Sequence, residues 1–180
     1  GMGSLVSARQ LERVSAQVDQ AVAAGAEVLT GGRPLPEVGP FYYAPTLLRG
    51  VTPEMTLCRE ETFGPVASIY TFSTDDEAVA LANDTEYGLN AAVLTSDIAA
   101  GRAMARRIQA GTVNVNEAYG AAWASIGAPM GGMKASGLGR RHGVEGLLKY
   151  TEAQTVSVQH GIGFGAPFGR TDEQWAGLMT

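Results

Sequence analysis

The chain has 180 residues, 45% of them hydrophobic, and a formal net charge of −5. That length suits one domain of ordinary size or part of a larger one, with enough apolar residues for a core. No apolar run is long enough to span a bilayer, no basic-then-apolar leader opens the chain and no basic stripe runs along it, which argues against membrane and nucleic acid as partners.

Cysteine and histidine usage narrows the classes further. The single Cys58 cannot form an internal disulfide, which fits a reducing cytoplasm. Two histidines and one cysteine, widely spaced, give no zinc pattern, so no metal site is expected. The 24 glycines are aperiodic and mark turns.

Ser7 is positioned to cap a first helix, in which Leu11, Val14, Val18, Ala21 and Val22 recur at helical spacing. Gly25 suits the left-handed residue that ends it. A short strand, Glu27 to Thr30, stops at Gly31-Gly32. Pro34, Pro36, Gly39 and Pro40 then mark a surface loop. Tyr42 to Leu48 reads as extended, with Pro45 at its start or on an edge. Val66 to Phe72 is the clearest strand. Thr74 and Glu77 fit a capping box for a helix ending near Asn83. Leu89 to Thr95 reads as a buried-type strand. Ser96-Asp97 caps another helix, with Gly111 as its terminator, and Thr112 to Val115 is the next strand. Strand, helix, strand, helix, strand with short links implies right-handed crossovers in a parallel sheet.

From Asn116 to Gly139 the pattern gives way to a glycine-rich mixed loop. Loops this long in a compact domain are usually functional or disordered, and Tyr119, Trp123, Ile126 and Met130 offer much to bury. Val144 to Tyr150 reads as a short helix. Gln154 to Val158 alternates as an exposed strand would. Gly161 to Thr180 is irregular.

The stretch Glu60-Glu61-Thr62-Phe63-Gly64-Pro65-Val66 puts two acids, an aromatic and a Gly-Pro turn directly before a strand. Crevices at strand ends are where open α/β sheets bind ligands. Acids there can accept hydrogen bonds from ribose hydroxyls, and an aromatic can pack on a flat ring. On residues alone, a solvated surface acid for Glu61 and a core aromatic for Phe63 are the favoured readings.

Six segments together resemble the C-terminal part of the NAD(P)-dependent aldehyde dehydrogenases, in the family's order. They are Gly25-Ala26 with Gly31-Gly32; Pro45-Thr46; Glu60 to Val66; Ala82-Asn83 with Tyr87-Gly88-Leu89; Gly111-Thr112-Val113 with Val115-Asn116; and Pro129 to Lys134 with Ser136 to Arg140. The resemblance runs from Leu5 to Val158. It implies an α/β fold: a three-layer domain with a largely parallel sheet and flanking helices, here incomplete. Residues 5–150 correspond to the catalytic-domain portion, 151–159 to an oligomerisation-type strand and 160–180 to an irregular tail.

By the same resemblance, Glu61 binds the hydroxyls of the nicotinamide ribose and Phe63 packs near the nicotinamide ring. Asn116 lies at a strand end near the substrate tunnel. The stretch from Asn116 to Ser125, followed by Met-Gly-Gly-Met-Lys, is similar to the succinate semialdehyde dehydrogenase branch. There a serine a few residues before the proline helps hold the substrate's distal carboxylate, and Ser125 is the match; an ordinary loop serine is the alternative. The family usually has Phe where Met130 stands.

The family's cysteine nucleophile and glutamate base match nothing here; both belong upstream of this stretch. Cys58 occupies a variable position just before Arg59-Glu60-Glu61 and is rejected as the nucleophile. The resemblance therefore implies a parent oxidoreductase. It turns an aldehyde, first succinate semialdehyde and next a general aliphatic or aromatic aldehyde, into the acid through a thiohemiacetal and a thioester, with NAD or NADP as cofactor. The 180 residues alone are expected to be inactive and to hold no cofactor tightly. The alternative is a free-standing, non-catalytic nucleotide-binding or assembly module. The parent is expected to be a homo-oligomer, and this chain to dimerise through an exposed strand edge.

Overall fold

The computed structural model describes residues 2–161, 166 and 168–178. Helix α1, Ala8–Ala23, starts at Ser7, whose side chain accepts from Gln10 N, and it buries Val14, Val18 and Ala21. This face lies on a three-stranded sheet of β1 (Glu27–Thr30), β2 (Thr46–Arg49) and β3 (Val66–Ile69), in that spatial order. β1 runs antiparallel to β2, with Val28 opposite Leu48. β2 runs parallel to β3, with Thr46 opposite Val66 and Arg49 opposite Ile69. The core is the seam between this helix and this sheet: Val14, Val18 and Leu48 are fully buried, and Tyr43, Val51, Met55 and Leu57 close around them. A four-residue helix, α2 (Thr56–Arg59), lies in the crossover from β2 to β3.

Helix α3, Asp75–Asn83, is capped by Thr74, whose side chain accepts from Glu77 N. The return half of the predicted box is displaced by one residue, because Glu77 Oε2 accepts from Ser73 N at 2.7 Å. Strand β4, Tyr87–Gly88, precedes β5, Asn90–Val93. Helix α4, Ile98–Ala105, is capped by Asp97, and β6, Thr112–Val115, returns parallel to β5 with Asn90 opposite Thr112. Then come α5 (Gly120–Ala124), β7 (Met133–Lys134), which pairs antiparallel with β4, α6 (Gly143–Leu148) and α7 (Asp172–Ala176).

The α/β character and the parallel pairs agree with expectation, and among the described residues the strands fall into three separate sheets. β3 pairs with β2, and β5 with β6 alone, so among the described residues each keeps an open edge. The intervening β4 turns away to meet β7, a pairing of two residues per strand that no local pattern announces. Strand β5 is accordingly not of the fully buried type: Val93 is buried, while Leu89 and Leu94 on either side are exposed.

Gly111 does not end α4. The helix stops at Ala105 with Arg106 as its cap, and Gly111 serves a close approach instead: a Cβ there would lie 1.6 Å from the carbonyl oxygen of Gly131. The stretch Gln154–Val158 is exposed and has no strand partner among the described residues. An extended segment without a partner leaves its ladder groups to solvent, and no strand is formed there among the described residues. The tail is less irregular than expected: α7 carries a complete capping box of Thr171 and Gln174. Among the described residues no helix is long and apolar enough to cross a membrane, and no cluster of three or more His, Cys, Asp or Glu side chains is placed to hold a metal.

Candidate functional site

The loop from Glu60 to Gly64 lies across the first turns of α1. Gln10 Nε2 donates to Thr62 O at 2.9 Å and to Phe63 O at 3.0 Å. Arg13 Nη2 donates to Glu61 O at 3.1 Å and stands 3.6 Å from the Glu60 carboxylate. Gly64 lies so close to α1 that a Cβ would come 2.6 Å from Val14 Cγ2. Three carbonyls in a row are thus tied to one helix face, and Phe63 is held at φ 54°, in the left-handed region that few non-glycine residues occupy. The residue is 74% exposed, so it is not the core aromatic that an isolated reading allows.

This loop forms one wall of a cleft of about 680 Å³. Glu60, Glu61 and Phe63 line it on one side, Tyr87, Gly88 and Ser136 on the other. The far wall is clipped together by Asn83. Its Oδ1 accepts from Gln109 N at 2.8 Å, its Nδ2 donates to Arg107 O at 3.0 Å, and Lys134 Nζ donates to the carbonyls of Asn83 and Thr85 at 2.8 and 2.9 Å. Ser136 Oγ accepts from Gly88 N at 2.9 Å, fastening β4 beside β7.

The cleft is acidic where Glu60 and Glu61 meet Tyr87. The Tyr87 hydroxyl is held above its ordinary value, first by its hydrogen bond to Glu86 and then by the charges of Glu86, Glu61 and Glu60. The two adjacent acids differ in their engagement. Glu60 faces Arg13, whereas the Glu61 carboxylate makes no hydrogen bond or ion pair among the described residues. A free carboxylate can accept two hydroxyl donors, and an uncovered aromatic ring offers a face for a flat heterocycle. The residues present therefore fit the ribose and ring of a nicotinamide nucleotide.

Asn116 and Ser125 are not on this cleft. Asn116 ends β6 at φ 60° with its side chain turned to the backbone of Thr95. Ser125 follows α5 and donates its hydroxyl to Ala121 O at 2.7 Å. Between them, Glu117 Oε1 accepts from the amides of Ala118, Tyr119 and Gly120, which holds its carboxyl below the usual value. Beyond Ser125 the chain doubles back: Met130 and Arg141 exchange backbone hydrogen bonds of 2.7 and 2.6 Å.

Cys58 is half-buried and packs against the core cluster, and its sulfur accepts from the Tyr70 hydroxyl at 3.6 Å.

Sequence reasoning missed Gln10, Arg13, Asn83 and Asn114. Gln10 and Arg13 are three apart and so share a helix face, but nothing in the local pattern names the loop they meet. Asn114 lies on β6, two residues before Asn116. It is buried, and its Nδ2 reaches Asn90 Oδ1 at 3.0 Å, Ala91 O at 3.3 Å and Ala118 O at 3.0 Å, joining β5, β6 and the following loop.

The sequence model described as the Aldehyde dehydrogenase family matches residues 1–156. A protein of Mycolicibacterium smegmatis named for succinate-semialdehyde dehydrogenase (NADP+) activity is 53% identical over 179 residues, which are 99% of this chain and 35% of that protein. Among solved structures, an NAD-dependent aldehyde dehydrogenase from Sinorhizobium meliloti superposes with a TM-score of 0.82 at 41% identity, over 94% of this chain and 32% of that one. An aldehyde dehydrogenase of Mycobacterium tuberculosis complexed with NAD+ gives 0.80 at 35% identity, over 90% and 33%. The chain belongs to the aldehyde dehydrogenase family and spans about a third of the length of these relatives.

Proposed function

We propose that the protein carrying this chain oxidises succinate semialdehyde to succinate with NAD+ or NADP+, and that these residues build the nicotinamide side of its cofactor site. The observation that carries the proposal is the pairing of a free Glu61 carboxylate with an uncovered Phe63 ring on one wall of the cleft. Glu61 accepts from the ribose hydroxyls. Phe63 packs beside the ring, and the ties from Gln10 and Arg13 keep both in place. When bound, the dinucleotide takes up the hydride that leaves the aldehyde carbon. On the substrate side, Asn116 fixes the root of the loop that runs to Ser125, and Ser125 faces the distal end of the aldehyde. The nucleophilic cysteine and the base for hydrolysis are assigned to the protein outside these 180 residues, and the chain alone is expected to be inactive.

The test is the reduction of NAD+ or NADP+ by the native protein, captured from its source cells with an antibody to this chain. Succinate semialdehyde is compared with butanal. Turnover that favours succinate semialdehyde is expected. No turnover with any aldehyde overturns the proposal.

A second reading, a non-catalytic nucleotide-binding or assembly module, is favoured by the surroundings of Cys58 and by the reach of the cleft. Glu61 and Phe63 touch one end of a dinucleotide only, and so few contacts support a Kd of about a millimolar or weaker. A native gene product of 18.7 kDa, the mass of this chain, would favour that reading. Assembly through Gln154–Val158, as an edge strand paired with a second chain, is the form it would take. Light scattering showing a strict monomer would count against that pairing.

A further inference from the structure

We propose that Arg59 is a positioning residue for the cofactor: its grip on Asp84 sets the width of the cleft, and so the place of Glu61 and Phe63 relative to the opposite wall. The proposal rests on the cofactor reading above.

The two walls grow from separate parts of the chain. Glu60, Glu61 and Phe63 follow α2 and stand on the unit built from α1 and β1–β3. Thr85, Tyr87 and Gly88 follow α3, and Ser136 comes from beyond β7. β3 and β5 share no ladder. Among the described residues, the hydrogen bonds and the ion pair that join residues 2–72 to residues 73–150 are all made by Arg59 with Asp84. This pair lies at the root of both walls, two residues before Glu61 and three before Tyr87.

Its geometry is that of a fork. Arg59 Nη1 donates to Asp84 Oδ1 at 3.2 Å and to Asp84 O at 3.3 Å, and Nη2 donates to Oδ2 at 3.4 Å. Nε donates to Pro53 O at 3.1 Å, which anchors the side chain on its own side of the cleft. A two-point grip fixes orientation as well as distance, which a lysine ammonium does not. The turn that receives it is held from another side, where Lys134 Nζ donates to Asn83 O and Thr85 O. Three successive carbonyls at the end of α3 are thus bound by two cations, which suits the negative end of a helix. The opposing loop has three carbonyls of its own on Gln10 and Arg13. Each wall is tied internally, and Arg59 with Asp84 is the clasp between them.

Both side chains of the clasp are half exposed, so it adds little to global stability. Its effect is local. A ligand that touches Glu61 and Phe63 senses the spacing of the walls, and one that stays clear of them does not.

The experiment uses the full-length protein with Arg59→Met, with Asp84→Asn, with both, and with Glu61→Ala. Kd is measured for the reduced dinucleotide, by its fluorescence, and for ADP, which lacks the nicotinamide and its ribose. Each clasp variant is expected to weaken the dinucleotide about 3- to 10-fold and to leave ADP within about twofold. Removing a cation and removing an anion act oppositely on a phosphate at long range, so a loss in both variants is an effect of position. The double variant should lose no more than the worse single, because the two residues act through one contact. Urea midpoints should stay near wild type. Asp84→Asn conserves the shape of the turn and decides the matter if Arg59→Met does not fold. Equal losses for dinucleotide and ADP, additive losses in the double variant, or no loss overturns the positioning role. Glu61→Ala separates this from the cofactor reading. A dinucleotide Kd unchanged in that variant, or no dinucleotide binding by wild type, overturns the cofactor reading itself. A weakened Glu61→Ala beside an unchanged Asp84→Asn overturns the clasp alone.

Discussion

Asn116 holds Thr95 by both ends of its amide: Oδ1 accepts from Thr95 N and Nδ2 donates to Thr95 O, each at 2.8 Å. The pair extends the β5–β6 ladder by one step beyond Val93 and Val115, with a side chain imitating a strand. Asn116 N also donates to Val93 O at 2.8 Å. The chain then turns out of the sheet through φ 60°, which Asn tolerates better than most residues.

Asn116→Ala removes both bonds and leaves a Cβ residue in the left-handed region without local compensation. Destabilisation of about 1–3 kcal/mol is expected, read as a lower midpoint in urea. Asn116→Gly relieves the backbone and loses only the bonds, so it should cost less than Ala. Equal midpoints for the two would show that φ is not under strain there.

Gln10 makes a parallel case for the cofactor loop. Replacing it with Leu keeps the helix and removes both ties to Thr62 and Phe63. Global stability should change by no more than about 1 kcal/mol, because the loop is peripheral to the core. Amide exchange at Phe63 and Gly64 should accelerate by roughly tenfold, since local opening is what those ties oppose. Unchanged exchange would mean that Gly64 packing on Val14 suffices to hold the loop.

Much of this architecture is legible in the sequence, and the failures have a common cause. Ser7, Thr74 and Asp97 cap where expected because an N-cap is decided by residues three apart. Strand β6 matches its predicted bounds for the same reason of local pattern. The ladder of β4 with β7 joins residues distant in sequence, and the tie from Gly88 to Ser136 spans 48 residues; no local period encodes either. Within the candidate site, Glu61 and Phe63 were identified through resemblance alone. Asn114 carries no local signal of which strand face is covered, yet it is the buried link of three segments. Gly111 was read as a helix stop from its residue type, while its role depends on Gly131, distant in sequence.

Gly111 therefore offers a sharp test. A Cβ there would sit 1.6 Å from Gly131 O and 2.7 Å from Gly131 C, both backbone atoms with no rotamer to yield. Gly111→Ala is expected to cost about 3 kcal/mol or more, or to prevent folding. Gly25→Ala is the contrast: nothing lies within 4 Å of the added carbon, and only its φ of 105° resists. It should cost about 1–2 kcal/mol. If thermal melts rank the two in reverse, the approach of Gly111 to Gly131 is looser than the geometry states.

Glu117 gives a prediction in pH. Its carboxylate accepts from the amides of Gly120, Tyr119 and Ala118 at the start of α5, and these bonds hold its folded pKa below the usual carboxylate range. The sign follows from linkage. A depressed carboxyl pKa contributes stability that is present above the unfolded value and lost as pH falls through the folded one. Glu117→Gln retains an acceptor oxygen but no charge, so it should melt below wild type at neutral pH. The gap should narrow below about pH 4.5 and close once the wild-type carboxyl is protonated. Measuring both proteins at each pH cancels the titration of every other acid they share. A gap that stays constant down to pH 3 would show that the amides bind the oxygen atom and not its charge. Because α5 leads directly into Ser125, that outcome would also remove charge-assisted capping as the anchor of the proposed substrate loop.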